Sequence, residues 1–295
     1  MAPIATYVFL DFGTTGKNPK VDEITELCMV AVKRQHLLDT PRSRTTPRVQ
    51  HKLLLCFKVD KQITYVARSD GKGGFTNEDL EHESYFDMTG FQIIDNFLKR
   101  LTKPVCLVAH FGRIFDYPLL KRHLTSLNVK FSNKDLWCAD THLAFFDILQ
   151  PEPAARAVEV ADDAGPSADD AGPSANDAEP SADAGSLSAK NTLDMRTLNE
   201  TTPRKRQRIE QPNINRVPAI NRPFPWGGRE NLPTERYGLE DVYRRVFNRE
   251  PEDAHKAEAD CILMLEIAVE LGQRFVDWID NEINLLRFPD DINPV

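Results

Sequence analysis

The chain has 295 residues, 41 % of them apolar, and a formal charge of −8. That length permits one or two domains with a sizeable core, while the slightly low apolar share leaves part of the chain unpacked. Residues 151–190 hold nine acids and two bases, so the remaining 35 bases and 36 acids are near balance and neither demand nor forbid a nucleic-acid partner. Five scattered cysteines without a C-x-x-C pair argue against a disulfide framework or a zinc site. No basic-then-apolar leader opens the sequence, and no stretch approaches the roughly 18 apolar residues of a membrane span. A soluble protein of the nucleus or cytoplasm, with no membrane partner, is expected.

The first apolar run, Thr6 to Leu10, leads into Asp11, Phe12, Gly13, Thr14, Thr15 and Gly16. It reads as a buried strand ending in a turn, with Asp11 delivered to the rim of a sheet. Glu23–Lys33 and His51–Val59 read as a second and third strand, joined by a Pro/Thr/Arg-rich loop in an antiparallel meander. After a Gly-rich loop, Thr76 to Leu80 supplies a helix cap and first turn. Phe91, Ile94, Phe97, Leu98 and Leu101 recur at helical spacing up to Pro104. Val105–His110 is a short buried strand, and Phe115–Leu120 opens a helix with Pro118 in its first turn. Leu136–Thr141 is a fifth strand, followed by a helix to about Leu149. The order βββαβαβα predicts an α/β fold, a mixed five-stranded sheet flanked by helices.

Residues 151–235 break the pattern. Ala161–Ser167 is nearly repeated by Ala168–Ser174, with a looser copy from Ala175, and seven-residue units of Ala, Asp, Gly, Pro and Ser cannot build a core. A long disordered insertion is therefore expected between a first folded part, 1–150, and C-terminal helices, 236–295. Pro203–Arg208 packs four bases into six residues, as an import signal, a phosphate-binding arm or simply solvated charge. Beyond it lie a helical stripe through Leu239, Val242, Tyr243 and Val246, an apolar helix from about Asp260 to Leu271, and a last helix from Gln273 to Arg287.

Three acids and a histidine stand out. Asp260 heads the stripe Met264, Ile267 and Leu271, where a bare charge must find a partner or a metal. His255 would sit about 140° from Asp260 on one continuous helix, so it belongs to the preceding loop, leaning over the site as a candidate general base. Asp116 heads the helix after the 105–110 strand. Each has a plain alternative: a polar turn, a salt bridge, a helix cap, an idle surface histidine. Together they form an oxygen-rich set suited to Mg²⁺ or Mn²⁺ rather than zinc.

Phe9-Leu10-Asp11-Phe12, the run Leu107–Gly112 continuing to Phe115–Leu120, and His255–Asp260 resemble the three motifs of the DEDDh 3′→5′ exonucleases. Ile24–Cys28 with Ala31-Val32, and Pro47-Arg48-Val49 with Lys52-Leu53, resemble the three-prime repair exonuclease branch more narrowly. The resemblance covers about residues 4–150 and 236–272. It implies an RNase H-like fold, a homodimer, two Mg²⁺ ions, and removal of nucleotides from DNA 3′ ends. Asp11, Asp116 and Asp260 would be metal ligands, His255 the general base, and Thr14, Thr15 and Phe115 neighbours of the terminal nucleotide. The long insertion departs from the family. So does Gly13, which stands where the family motif, Asp-x-Glu, has its second acid. Loss of one such contact costs roughly 10²–10³ in rate, so weak or lost cleavage is expected unless another acid substitutes. Glu23 and Glu26 lie nearby in sequence. The competing reading is a pseudo-exonuclease that binds DNA ends or a protein without cutting. A weaker one is an interaction scaffold acting through the insertion. Asp-Phe-Gly also spells a kinase triplet, but only ten residues precede Asp11 and no kinase elements lie upstream.

Overall fold

The computed structural model describes residues 2–40, 47–63, 74–150, 218, 219, 221, 222, 236–252 and 255–292. Strand β1 (Thr6–Thr14) lies at the centre of a six-stranded mixed sheet ordered β3-β2-β1-β4-β5-β6. β2 (Ile24–Lys33) and β3 (His51–Cys56) continue from it antiparallel. β4 (Val105–Ala109) and β5 (Leu136–Asp140) run parallel to β1. The sixth strand, β6 (Leu286–Arg287), was not expected from sequence: the last helix was read through to Arg287, but α7 (Gln273–Ile279) stops early. A 3-10 turn over Glu282–Asn284 then redirects the chain to pair with β5. Two residues are too few for any strand periodicity to show.

Alternation along the strands sorts their side chains to two covered faces. Tyr7, Phe9, Cys28, Val30, Cys106 and Val108 pack with the helices α4 (Thr141–Leu149), α5 (Leu239–Phe247), α6 (Ala257–Leu271) and α7. Val8, Leu10, Leu27, Met29, Leu107 and Ala109 pack with α2 (Met88–Lys99) and α3 (Asp116–Ser126). β2 is buried along nearly its whole length, as a central strand covered on both faces must be.

Other differences are local. A five-residue helix, α1 (Arg34–Leu38), follows β2 and is too short to carry a periodic signal. At Thr76 and Asp79 the expected reciprocal cap forms, with Thr76 donating to the Asp79 carboxylate and the Asp79 N–H donating to the Thr76 hydroxyl. No helix propagates from it; residues 77–82 are turns. The acidic repeat and the basic cluster at 203–208 lie outside the described residues. Within the stretch read as disordered, however, Ala219 is buried, and Arg113 donates to the carbonyls of Ala219 and Arg222. Arg222 in turn grips Asp147 with both guanidinium nitrogens. A boundary drawn from composition missed these residues because what holds them is a pair of arginines rather than an apolar run. Among the described residues, no helix is long and apolar enough to cross a membrane.

Candidate metal centre

The parallel strands β1, β4 and β5 all end at one edge of the sheet, the edge where α/β folds collect their functional groups. Asp11 sits near the end of β1, opposite Cys28. It shares the face of Tyr7 and Phe9 and so points toward α6. Asp260 lies in the first turn of α6, and the Cys261 thiol donates to the carbonyls of Phe9 and Cys28. That contact pins the start of α6 directly over Asp11.

Asp116 arrives from the other side. After β4 the chain makes a tight turn in which Phe111 is left-handed (φ 61°). The Asp140 carboxylate, at the end of β5, accepts the N–H groups of Phe111 and Arg113. Gly112 is obligatory here: a Cβ would lie 2.7 Å from the Tyr117 ring and 2.8 Å from the Ala109 Cβ. The turn therefore closes against the sheet, and Asp116 heads α3, facing inward with 3 % exposure. Asp140, which sequence reading left as a plain strand residue, is thus a positioning group. Three N–H groups, with that of His142 as the third, converging on one buried carboxylate leave no mark in a sequence.

The acids burden one another. Burial, then the charges of Asp260, Asp116 and Glu26, push Asp11 well above the usual carboxylate range. Burial and the charge of Asp140 do the same to Asp116. Burial pushes Asp260 up to about 6, against the N–H of His255, which donates to its Oδ1. No Lys or Arg among the described residues forms an ion pair with Asp11, Asp116 or Asp260. A buried anion without a cation is costly, so this donor set, all oxygen and with no described Lys or Arg paired to it, fits a hard divalent ion. Among the described residues no three His, Cys, Asp or Glu side chains are gathered tightly enough to enclose an ion as they stand.

His255 lies outside α6, as its spacing from Asp260 required, with a left-handed backbone (φ 77°). Its Nε2 stands 2.7 Å from Glu240 Oε1, on α5. Glu240 was missed from sequence because it reads there as an ordinary first-turn helix acid. Thr14 is half-buried and its hydroxyl donates to the carbonyl of Gly16. Thr15 is fully buried; its hydroxyl donates to Asp22 and accepts the N–H of Glu23. Its side chain therefore braces the turn after β1. Phe115 is half-buried at the start of α3, packed on the face that carries Leu10.

Position 13 carries no side chain, and the opposite residue in the register is Glu26. Glu26 is 9 % exposed, and its Oε2 accepts the N–H of Ala257, the first residue of α6. Burial raises its carboxyl above the ordinary value, helped by the charge of Glu258.

No protein-family model matches the chain. It is similar to three-prime repair exonuclease 1 of Bos taurus, 26 % identical over 286 residues, covering 94 % of this chain and 67 % of that protein. It is similar to three prime repair exonuclease 2 of Homo sapiens, 26 % identical over 283 residues, covering 94 % of this chain and 88 % of that protein. The mouse counterpart of the latter is 35 % identical over 142 residues, covering 46 % of this chain and 59 % of that protein. Among solved structures, E. coli exonuclease I bound to an oligonucleotide superposes with a TM-score of 0.48 at 13 % identity, covering 94 % of this chain and 43 % of that one.

Proposed function

We infer that this chain, a relative of the three-prime repair exonucleases, is a metal-dependent 3′→5′ exonuclease that releases nucleotides from DNA 3′ ends. One observation carries the reading: acids from three separate elements, Asp11, Asp116 and Asp260, converge at one sheet edge with no Lys or Arg among the described residues paired to them. Asp11, Asp116 and Asp260 would hold two Mg²⁺ ions, or Mn²⁺ in their place. Such ions supply an activated water and neutralise charge at the scissile phosphodiester.

The chain's own groups do the rest. His255, whose Nε2 meets Glu240 and whose N–H is on Asp260, would take the proton from the attacking water. The Asp140 clasp on the 111–113 turn fixes where Asp116 points. Thr14 and Phe115, half-buried at the ends of β1 and β4's following turn, are the groups available to the terminal nucleotide. A homodimer is compatible with β3, an outer strand of the sheet that carries an exposed Leu54.

Gly13 favours a second reading, a chain that binds DNA ends without cutting them. Magnesium-dependent digestion of a 3′-labelled single-stranded DNA separates the two. The intact chain should digest it, and Asp11→Asn should lower the rate at least 10²-fold, in line with the roughly 10²–10³ of one lost electrostatic contact. Binding of the DNA without turnover, by a folded protein, rejects the nuclease reading and leaves the binder.

A further inference from the structure

The Gly13 gap has a neighbour that fills it. In the β1–β2 ladder Gly13 faces Glu26 directly, and both lie on the face of Asp11 and Cys28, toward α6. A Cβ built on Gly13 would stand 3.0 Å from the Glu26 Cβ and 3.4 Å from Glu26 Oε2. The Glu26 carboxylate therefore leans across the very space that a side chain at 13 would enter.

Its two oxygens are used differently. Oε2 accepts the N–H of Ala257, 3.2 Å away, three residues before Asp260 on the same first turn of α6. The hydrogen bond from Ala257 engages Oε2 and leaves Oε1 free of any donor among the described residues. The surrounding charges are mixed: Lys256 and Glu258 flank the start of α6, and Glu258 is itself paired with Lys52 at 2.6 Å. A helix start welcomes one carboxylate oxygen, which accounts for Oε2. It does not account for a carboxylate whose charge bears on both Asp11 and Asp260.

We propose that Glu26 is the fourth carboxylate of the metal centre, reaching it from the neighbouring strand across the Gly13 gap, so that the centre is complete without an acid at position 13. The proposal rests on the metal-centred reading above and assigns one more oxygen donor to that centre. It also couples the donor to α6: the same side chain that meets the ion holds the helix that carries Asp260.

The test is a titration of the DNA-free full chain with Mn²⁺, following free Mn²⁺ by electron paramagnetic resonance, alongside thermal unfolding in chelator. Glu26→Gln keeps the shape and an oxygen acceptor for Ala257 while removing the charge. It should weaken Mn²⁺ binding at least a hundredfold, beyond the roughly 10–100-fold that loss of an outer-shell partner costs, with the metal-free Tm unchanged or higher. If Glu26→Gln binds Mn²⁺ like the intact chain while Asp11→Asn binds it weakly, the proposal is overturned and Glu26 only anchors α6. If Asp11→Asn also binds normally, the metal-centred reading itself fails. Should Glu26→Gln loosen the metal-free fold, the double variant Gly13→Glu with Glu26→Gln decides. Recovery of Mn²⁺ binding by a carboxylate moved across the ladder supports the role, and no recovery overturns it.

Discussion

Asp95 and Asp116 are almost equally buried, at 5 % and 3 % exposure, yet their carboxyls are displaced in opposite directions. Asp95 accepts the N–H and the hydroxyl of Ser132 and pairs with Lys99 at 2.8 Å. Asp22, on the turn after β1, accepts from the Asn18 N–H, the Thr15 hydroxyl and Lys61. Against the cost of burial, these partners hold both below the ordinary value. At the sheet edge burial prevails, with neighbouring carboxylates adding to it, and Asp11, Asp116, Asp260 and Glu26 all rise. Burial is common to both groups, so it is the partner that separates the two directions, as expected if the second group awaits the metal proposed above.

The pH dependence of stability should expose the difference most strongly. Asp260 has an ordinary value of 3.8 and a folded value of about 6, so it takes up a proton on folding between those limits. The metal-free fold therefore loses stability as pH rises from about 4 to about 6. This single group contributes at most on the order of 3 kcal/mol. Asp22 and Asp95 act oppositely: they release protons on folding, so their contribution is lost as pH falls below their unfolded values. Urea unfolding in chelator should thus show a maximum near pH 4, and millimolar Mg²⁺ should move it toward neutrality. A metal-free optimum already at neutral pH would erase the distinction between the two groups.

Substitution should give effects of opposite sign. Asp95→Ala removes the charged acceptor of the Ser132 N–H and hydroxyl and the partner of Lys99, and should destabilise by about 1–3 kcal/mol. Asp116→Asn removes a burdened carboxylate and should raise the metal-free Tm by a few degrees, since about 1 kcal/mol moves Tm by roughly 2–4 °C in a domain of this size. The gain should vanish in Mg²⁺. Calorimetry on the two variants, with and without the ion, checks both signs at once; a fall in metal-free Tm for Asp116→Asn would place that acid with the structural ones.

How much of this was legible in the sequence follows from the length of the signal each part leaves. The strands β1 to β5 and the helices α2 to α6 were readable because their apolar periods run for five residues or more. Strand β6 and helix α1 were not, being two and five residues long. Asp11, Asp116, Asp260 and His255 could be picked out because each sits at the end of an apolar run, and the structure brings Asp11, Asp116 and Asp260 to one edge with His255 beside Asp260. Glu26, Glu240 and Asp140 could not be placed. Their roles depend on a cross-strand register, on two helices meeting, and on a turn folding back over a strand end, and none of these is a local pattern. Thr15 shows the reverse case: its position beside Asp11 in sequence says nothing about its hydroxyl, which is enclosed by Asp22 and Glu23.

The smallest expected effect tests how finely the edge is fitted. Gly13→Glu adds an acid where the sequence resemblance leads one to expect it. Its Cβ, however, would sit 2.9 Å from Thr25 Oγ1 and 3.0 Å from the Glu26 Cβ. The second contact is close to the backbone of β2 and does not swing away, so the two strands must part by a few tenths of an ångström. The new carboxylate would also face Glu26 directly across the ladder, where like charges cost about 1 kcal/mol or less. The metal-free Tm should therefore fall by a degree or two, in contrast to the rise on Asp116→Asn. In Mg²⁺ the rate of DNA digestion should change by less than about tenfold, because with Glu26 already in the centre a second acid there is largely redundant. A gain well beyond the roughly 10² of one lost contact would show instead that the intact chain lacks its fourth ligand, and that Glu26 belongs with Asp22 and Asp95 among the acids that serve the fold.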